Sequence, residues 1–521
     1  MVGESNANKP TTAPVEAAAP KKRKNKRDKS KRLSNIRKRI QESHFHRYIQ
    51  HDIKGYEKYL NDGGVHLYSA KELEELKKAG VSNRLPPRAT GYYLDLATRS
   101  QAITNLIKAR PEEMEDLSGE RDPSNQLKYS PVEGLLHKYE LVLLYVVRTC
   151  SSWCRYCYRS DFLTSKTAKD IASVKEIGDY IRSYNEKIFK EAGTDDRDKL
   201  VTMNSEEKFP IREALLSGGD PLVLSNNNLF DYLDGLAEAG VRTIRIGTKE
   251  LAFFPHRFDD NFFGMLDLFH ELHPDVNLAF MVHFSHPDEL LKKDDKGNYI
   301  KKPTGHFERN PVVEKAIMRL RSRYYVTLEN QTPIIDSVND NSEALRRLQV
   351  ELKRLGVNNH YYFQCREIEG HKIFAVPVEK SYQIHRDSQK GLSGIEKSRF
   401  ALSTEFGKLE VAGLIDAPQV EAFGEQLPAE AKGLFKALLG DGLIIFKAHR
   451  VPNTKYQGGI VVARRNPKAL WITGYEDRIL YDGRKAGDEK WSSLGKMLKT
   501  LLAPVVDIEK AEKELAKKLT N

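Results

Sequence analysis

The stretch LVLLYVVRTCSSWCRYCYRS, residues 141–160, joins an apolar run of strand length to cysteines at 150, 154 and 157. The chain has 521 residues and four cysteines, so three of the four are spent on this loop. Seven apolar residues are too few to cross a bilayer and read as a buried strand. Thiolates at such short spacing bind soft metals. Four would suggest structural zinc, whereas three on an iron–sulfur cluster leave one iron open to a substrate. A zinc site completed by a histidine stays open as an alternative. One such cluster plus a distant Cys365 is no disulfide framework, so a reducing, cytoplasmic setting is expected.

The rhythm that begins at 141 continues downstream. Candidate strands at 213–218, 241–247, 277–284, 324–330 and 360–365 alternate with helix-like segments such as 173–188, 228–240, 311–323 and 342–356. That alternation argues a parallel sheet. Six βα units are too few for a closed eight-stranded barrel, so the expected fold is α/β, a partial (β/α)6 barrel over 141–410. Polar residues gather where the strands end: Cys150, Ser217-Gly218-Gly219-Asp220, Gly247-Thr248-Lys249, His283 and His286, Asn330-Gln331, Cys365-Arg366. In parallel α/β proteins the site lies at that rim.

The flanks read differently. KELEELKKAG (71–80) has apolar residues at helical spacing and a glycine stop, and residues 34–140 are expected to form an N-terminal helical region. Beyond 410 the alternation is lost. LIIFKAHR, GGIVVARR, ALWITGY and RILYDG, between 443 and 483, suggest a small antiparallel set within a C-terminal α+β region, 411–521. Residues 414–440 read as a linker or insertion, and 509–519 as a charged surface helix. KKRKNKRDKSKR (21–32) carries +8 of the net +11. With the Ala/Pro/Thr-rich segment before it, this run is expected to form a disordered basic tail over 1–33. Any nucleic-acid binding is confined to it. The N-terminus lacks the apolar core of a secretory signal, and no membrane association is expected.

The C-x3-C-x2-C loop after a first strand, with Tyr156 before the last cysteine, resembles the radical S-adenosylmethionine superfamily. Six collinear stretches are similar to its lysine 2,3-aminomutase family: 130–160, LLSGGDPL (215–222), IRIGTKE (244–250), HFSHPDELL (283–291), LENQTPIIDSVNDN (328–341) and HYYFQCREIEGHKIFAVPV (360–378). They cover roughly residues 110–410. The resemblance implies a [4Fe–4S] cluster on Cys150, Cys154 and Cys157. Its free iron would bind S-adenosylmethionine, with Ser217, Gly218, Gly219 and Asp220 near the methionine amino group. It implies pyridoxal 5′-phosphate on a lysine, here Lys408 in EFGKLEV, with Lys455 in reserve. Arg159 would clamp the substrate carboxylate. An amino acid as small-molecule substrate, a flavodoxin or ferredoxin as electron donor and a homo-oligomer are further expectations.

The chain departs from the family pattern at marked places. Two arginines that hold the cofactor phosphate align with Lys138 and Leu141, leaving Lys138 as a single point charge. Two aspartates that hold the distal ammonium of lysine align with Arg366 and Ser403. The expected activity is therefore an amino-acid 2,3-aminomutase whose substrate is not lysine but an acidic amino acid. A radical enzyme on the same scaffold that dispenses with pyridoxal phosphate, for epimerisation or another rearrangement, is the alternative. A zinc-stabilised nucleic-acid-binding protein is the rival from another class.

Overall fold

The computed structural model describes residues 26–43, 49–50, 67–122, 124–164, 171–203, 206–425, 432, 436, 439 and 442–484. The helix expected at 509–519 and residues 1–25 of the expected tail lie outside these.

Twelve strands form one sheet whose spatial order is the chain order. They are β1 (Leu135–Leu136), β2 (Val142–Val147), β3 (Glu213–Gly218), β4 (Thr243–Thr248), β5 (Asn277–Val282), β6 (Val326–Ile334), β7 (Asn358–Gln364), β8 (Arg399–Ser403), β9 (Lys408–Ile415), β10 (Leu443–Arg450), β11 (Ile460–Arg464) and β12 (Ile479–Asp482). Strands β2 to β8 pair in parallel. The β1–β2 pair and all pairs from β8 to β12 are antiparallel. Parallel neighbours need long crossovers, and each has a helix: α5 (Val174–Ala192), α6 (Asn226–Glu238), α7 (Asp260–Leu272), α8 (Pro311–Arg321), α9 (Ser342–Arg354) and α10 (Val378–Ser388). Short polar side chains start the first five. Ser173, Ser225, Asp259, Asn310 and Asn341 each accept a backbone N–H of the first turn, as N-caps do. The alternation on β4 is strict. Ile244, Ile246 and Thr248 are buried, while Thr243, Arg245 and Gly247 face a partly open interior.

Six strands were expected to run parallel, and seven do. The extra one, Arg399–Ser403, is short and pairs with β7 through three residues, Tyr361↔Arg399 to Phe363↔Ala401. The expected boundary at 410/411 falls inside β9, because the antiparallel strands continue the main sheet rather than forming a separate unit. Of the four C-terminal stretches, ALWITGY is not a strand; it leads into a 3-10 turn, Ile472–Arg478.

The described N-terminal residues include the helices α1 (Lys26–Arg37), α2 (Ala70–Ala79), α3 (Gly91–Ala97) and α4 (Gln101–Ile107), but Ile49–Gln50 and Ala89–Thr90 pair as antiparallel strands, and the helical turns in the described part of 108–134 are all 3-10. Ser69 and Glu72 form a capping box on α2, and Gly80 ends it at φ 71°. Helix α1 lies partly within the segment expected to be a tail. Arg32 pairs with Asp234 and Glu238 of α6, Arg37 pairs with Asp231, and Ile36 is buried. The docked chain thus begins before residue 34. No helix among the described residues is long and apolar enough to cross a membrane.

The sheet curls. At about 4.8 Å per strand, a flat sheet would put β2 about 29 Å from β8. Instead Lys138, in the β1–β2 turn, donates from Nζ to Thr404 O (3.1 Å) and Glu405 O (2.8 Å) in the β8–β9 turn, and to Ser124 O (3.2 Å). Arg450 of β10 pairs with Glu140, and Ser124 Oγ donates to Ser403 O at 2.6 Å. Lys138→Met removes three N–H···O=C bonds at this junction. It is expected to lower stability by about 1–3 kcal/mol, read as a lower denaturation midpoint; an unchanged midpoint would mean the junction holds without it.

Candidate active site

The curl encloses a cavity of ≈ 360 Å³ inside the sheet. It reaches from the cysteine loop to the start of β9, and Cys150, Cys154, Cys157, Arg159, Arg366, Ser403 and Lys408 all line it.

The cysteine loop is fixed from both sides. On the sheet side, Gly219 N–H donates to Val147 O (2.6 Å) and Asp220 N–H to Thr149 O (2.9 Å). Gly218 has φ 107°, and a Cβ on Gly219 would stand 2.1 Å from Thr149 O. The close approach these glycines permit is therefore made to the cysteine loop itself. Asp220 is equally committed. It accepts from Leu222 N–H (3.0 Å), Thr248 Oγ1 (2.9 Å) and Lys249 N–H (2.6 Å), and burial raises its pKa.

On the other side stands the N-terminal region. Trp153 N–H donates to Arg88 O and Arg155 N–H to Leu106 O, both at 2.9 Å. Ser152 Oγ accepts from Thr90 N–H at 3.0 Å. Arg155 forks onto Glu113 at 3.0 and 2.6 Å, with the two side chains 1% and 2% exposed. Sequence reasoning gave this region no role at the site. The structure makes residues 85–113 the back wall of the cysteine loop.

The three thiols are unbridged, and burial pushes all three up, Cys154 to about 12. Among the described residues no three His, Cys, Asp or Glu side chains stand close enough to hold a single ion. A cube takes one thiolate per iron and needs its thiols further apart than one ion does. Three half-buried thiols facing one cavity fit that donor set. Tyr156, beside the last cysteine, is buried with its hydroxyl near His283 Nε2 and Ser285 Oγ, both at 3.1 Å. His283 is held neutral by burial and by Lys249, whose Nζ pairs with Glu289 at 2.7 Å.

Arg159 donates to Ser217 Oγ and to Gly218 O (3.1 Å), and its buried Nε meets no acceptor. Its guanidinium lies 4.7 Å from the Tyr158 ring and 5.2 Å from Tyr145. Arg366 stacks 4.2 Å from the same Tyr158 ring. The nearby carboxylates are taken elsewhere: Glu369 pairs with Arg121, Glu367 accepts from Thr473, and Asp122, whose charge acts on Arg366, accepts from the N–H groups of Gln126 and Leu127. Among the described residues neither arginine has a carboxylate partner.

Lys408 opens β9, with Nζ 4.2 Å from the Tyr361 ring and 5.1 Å from Phe363. Burial first, then Arg450, Arg245 and Arg366, lower its pKa to about 7. A lysine whose ammonium is destabilised in this way, beside stacked aromatic rings, suits a covalent aldehyde cofactor. Lys455 is not among the cavity's lining residues. Lys138 lines the cavity, but its three donors are spent on carbonyls, and burial lowers it to about 8. Arg245 and Arg450 line the same cavity and carried no assignment from sequence. An arginine at an inward position of the apolar strand VRTIRIG was the available signal.

No family model matches the chain. A protein of Aquifex aeolicus described as a putative L-lysine 2,3-aminomutase is 30% identical over 417 residues, 78% of this chain and 92% of that one. An L-lysine 2,3-aminomutase of Methanococcus maripaludis is 26% identical, covering 65% of this chain and 68% of its own. A glutamate 2,3-aminomutase of Clostridioides difficile is 27% identical, covering 60% and 64%. A solved radical SAM methyltransferase from Sphaerobacter thermophilus aligns with 52% of this chain and 68% of its own at 14% identity. Its TM-score of 0.29 is too low to carry an argument.

Two outcomes are expected. Gly219→Ala drives a Cβ into Thr149 O, so iron retained after anaerobic reconstitution should fall well below wild type. Gly264→Ala, with nothing within 4 Å of the added carbon, should retain it. A lowered pKa leaves the reactive free amine present above that pKa. Reductive alkylation of Lys408, followed by peptide mass spectrometry, should therefore be half-maximal near pH 7; a midpoint near the ordinary lysine value of about 10.4 would contradict it.

Proposed function

The chain belongs to the lysine 2,3-aminomutase family of radical S-adenosylmethionine enzymes, and on that premise we propose that it moves an amino group between adjacent carbons of an acidic amino acid. It is an enzyme of the aminomutase kind. The family implies a [4Fe–4S] cluster and S-adenosylmethionine; in this reading Cys150, Cys154 and Cys157 hold the cluster, with the Ser217–Asp220 turn alongside, and Lys408 holds pyridoxal phosphate. When bound, these groups would supply a carbon-centred radical that removes an unactivated hydrogen, and a conjugated ring over which the unpaired electron can spread as the amino group migrates.

The chain's own part is positioning and charge. Arg159 takes the α-carboxylate and Arg366 the side-chain carboxylate, each able to fork onto two oxygens. Ser403 lines the cavity without adding charge. Lys408, with its pKa lowered, presents an amine that is free above about pH 7. The curled sheet is read as a partial barrel that shields the radical from water. A flavodoxin or ferredoxin as electron donor, and assembly as a homo-oligomer, complete the reading.

One observation carries the substrate class. Seven Lys or Arg side chains line the cavity and Asp220 is the one acid among the lining residues, already engaged by three donors. The distal ammonium of lysine would be desolvated among cations with no free carboxylate to meet it. A second carboxylate would instead find Arg366. The occupied state of Lys138 is the observation on the side of a cofactor-independent radical rearrangement, since the aligned phosphate anchor has no N–H left.

The test is turnover by anaerobically reconstituted protein given glutamate, aspartate, lysine or neutral amino acids. An acidic substrate should be fastest, and Arg366→Asp should slow it at least about tenfold, the loss of one charge-assisted pair. Faster turnover of lysine would overturn the substrate class. Turnover with no pyridoxal phosphate bound would favour the cofactor-independent reading.

A further inference from the structure

A phosphate entering this cavity cannot be met by Lys138, whose ammonium is fully engaged. Two other cations stand at the Lys408 end. Arg450 is the direct cross-strand partner of Lys408 between β9 and β10, which puts their Cβ atoms about 5 Å apart on one face of the sheet. Arg245 projects inward from β4, one of the partly open positions that alternate with buried ones along that strand. Both line the cavity together with Lys408.

Each arginine has one carboxylate already. Arg245 pairs with Glu213 at 2.7 Å, and Arg450 pairs with Glu140. A guanidinium has five N–H donors in a fixed fork, so one carboxylate leaves donors over. Arg450 also stacks 4.7 Å from the Tyr139 ring, which fixes its plane. Beside Lys408, the Tyr361 and Phe363 rings lie stacked, 5.2 Å between centroids and 22° between planes. An amine, a flat aromatic wall and two arginines thus meet at one end of the cavity. A phosphorylated aromatic aldehyde has the matching parts.

We propose that Arg245 and Arg450 form the anion subsite for the cofactor's phosphate, with Tyr361 and Phe363 flanking its ring, and that Lys138 serves the scaffold instead. The assignment rests on the reading of Lys408 given above. It moves the phosphate contact from the segment before the first parallel strand to β4 and β10.

The experiment uses the full chain with its cluster reconstituted. Pyridoxal phosphate is titrated in, reduced with borohydride and quantified as the Lys408 peptide adduct; pyridoxal, which lacks the phosphate, is run in parallel. Arg245→Gln and Arg450→Gln should each raise the half-saturating concentration of pyridoxal phosphate by about ten- to a hundredfold, the loss of charge-assisted hydrogen bonds. Trapping of pyridoxal should change by less than about threefold. That comparison matters, because removing a neighbouring cation shifts the Lys408 amine equally for both aldehydes. Arg245→Lys and Arg450→Lys, which keep the charge but lose the fork, should fall between and serve where a glutamine variant fails to fold. Lys138→Met should leave the half-saturating concentration within about threefold of wild type. Equal affinity for the phosphate ester in wild type and in both arginine variants would overturn the subsite while leaving the cofactor reading intact. So would its loss in a folded Lys138→Met protein. A wild-type chain that traps neither aldehyde would overturn both.

Discussion

Seven basic side chains crowd one small cavity, and the architecture of the site follows from how the charge of each is accommodated or shed. Lys249 is paired with buried Glu289, Arg245 with Glu213 and Arg450 with Glu140. Lys138 is spread over three carbonyls. Arg159, Arg366 and Lys408 have no carboxylate partner among the described residues and rest on aromatic faces: Tyr145 and Tyr158, Tyr158, and Tyr361 with Phe363. A cation over a ring gains about 0.5–2 kcal/mol, less than burial of a charge costs. The two arginines are therefore completed only by anions from outside, and Lys408 by losing its proton. Their positions mark where a substrate's carboxylates and a reactive carbonyl belong.

This arrangement depends on the curl of the sheet. Arg159 follows β2, Arg366 follows β7, and Lys408 opens β9. Only a sheet bent back on itself sets them round one space. The junction that closes it, between the β1–β2 turn and the β8–β9 turn, includes the three Lys138 hydrogen bonds and the Arg450–Glu140 pair. The antiparallel strands β9 and β10 are then part of the site, since they carry Lys408 and Arg450. The N-terminal region belongs to it as well, because its Glu113 neutralises Arg155 inside the cysteine loop. Removing one partner of such a buried pair costs about 3–5 kcal/mol. The loop that presents three thiols is thus held by residues from 85 to 220.

What could be read in the sequence was local. Strand-length apolar runs, capped helices and three cysteines at short spacing each carry their meaning within a few residues. Arg366 and Lys408 were placed by short motifs that lie in the same order as in the family. What could not be read was pairing across distance. Nothing in the neighbourhood of Lys138 shows that Thr404 and Glu405 return to it. Arg245 and Arg450 lie in strands more than 200 residues apart and converge only after the sheet has curled. The glycines at 218 and 219 signalled close approach, but not that the approaching group is the chain's own Thr149. Arg399–Ser403 escaped notice as a strand because five residues carry too little alternation to read.

The cations that suit the cavity to anions also act on Lys408, and the two effects oppose each other. An anion bound between Arg245 and Arg450 would cancel part of their field and let the Lys408 ammonium recover some of its stability. Each pKa unit recovered is worth about 1.36 kcal/mol. Burial is the largest cause of the lowered value, ahead of Arg450, Arg245 and Arg366. Burial is also the cause that an incoming ligand strengthens, because it displaces water from the cavity. Lys408 therefore stays below the ordinary lysine value with the anion in place. The same enclosure that makes the cavity's arginines receptive to an anion favours the free amine.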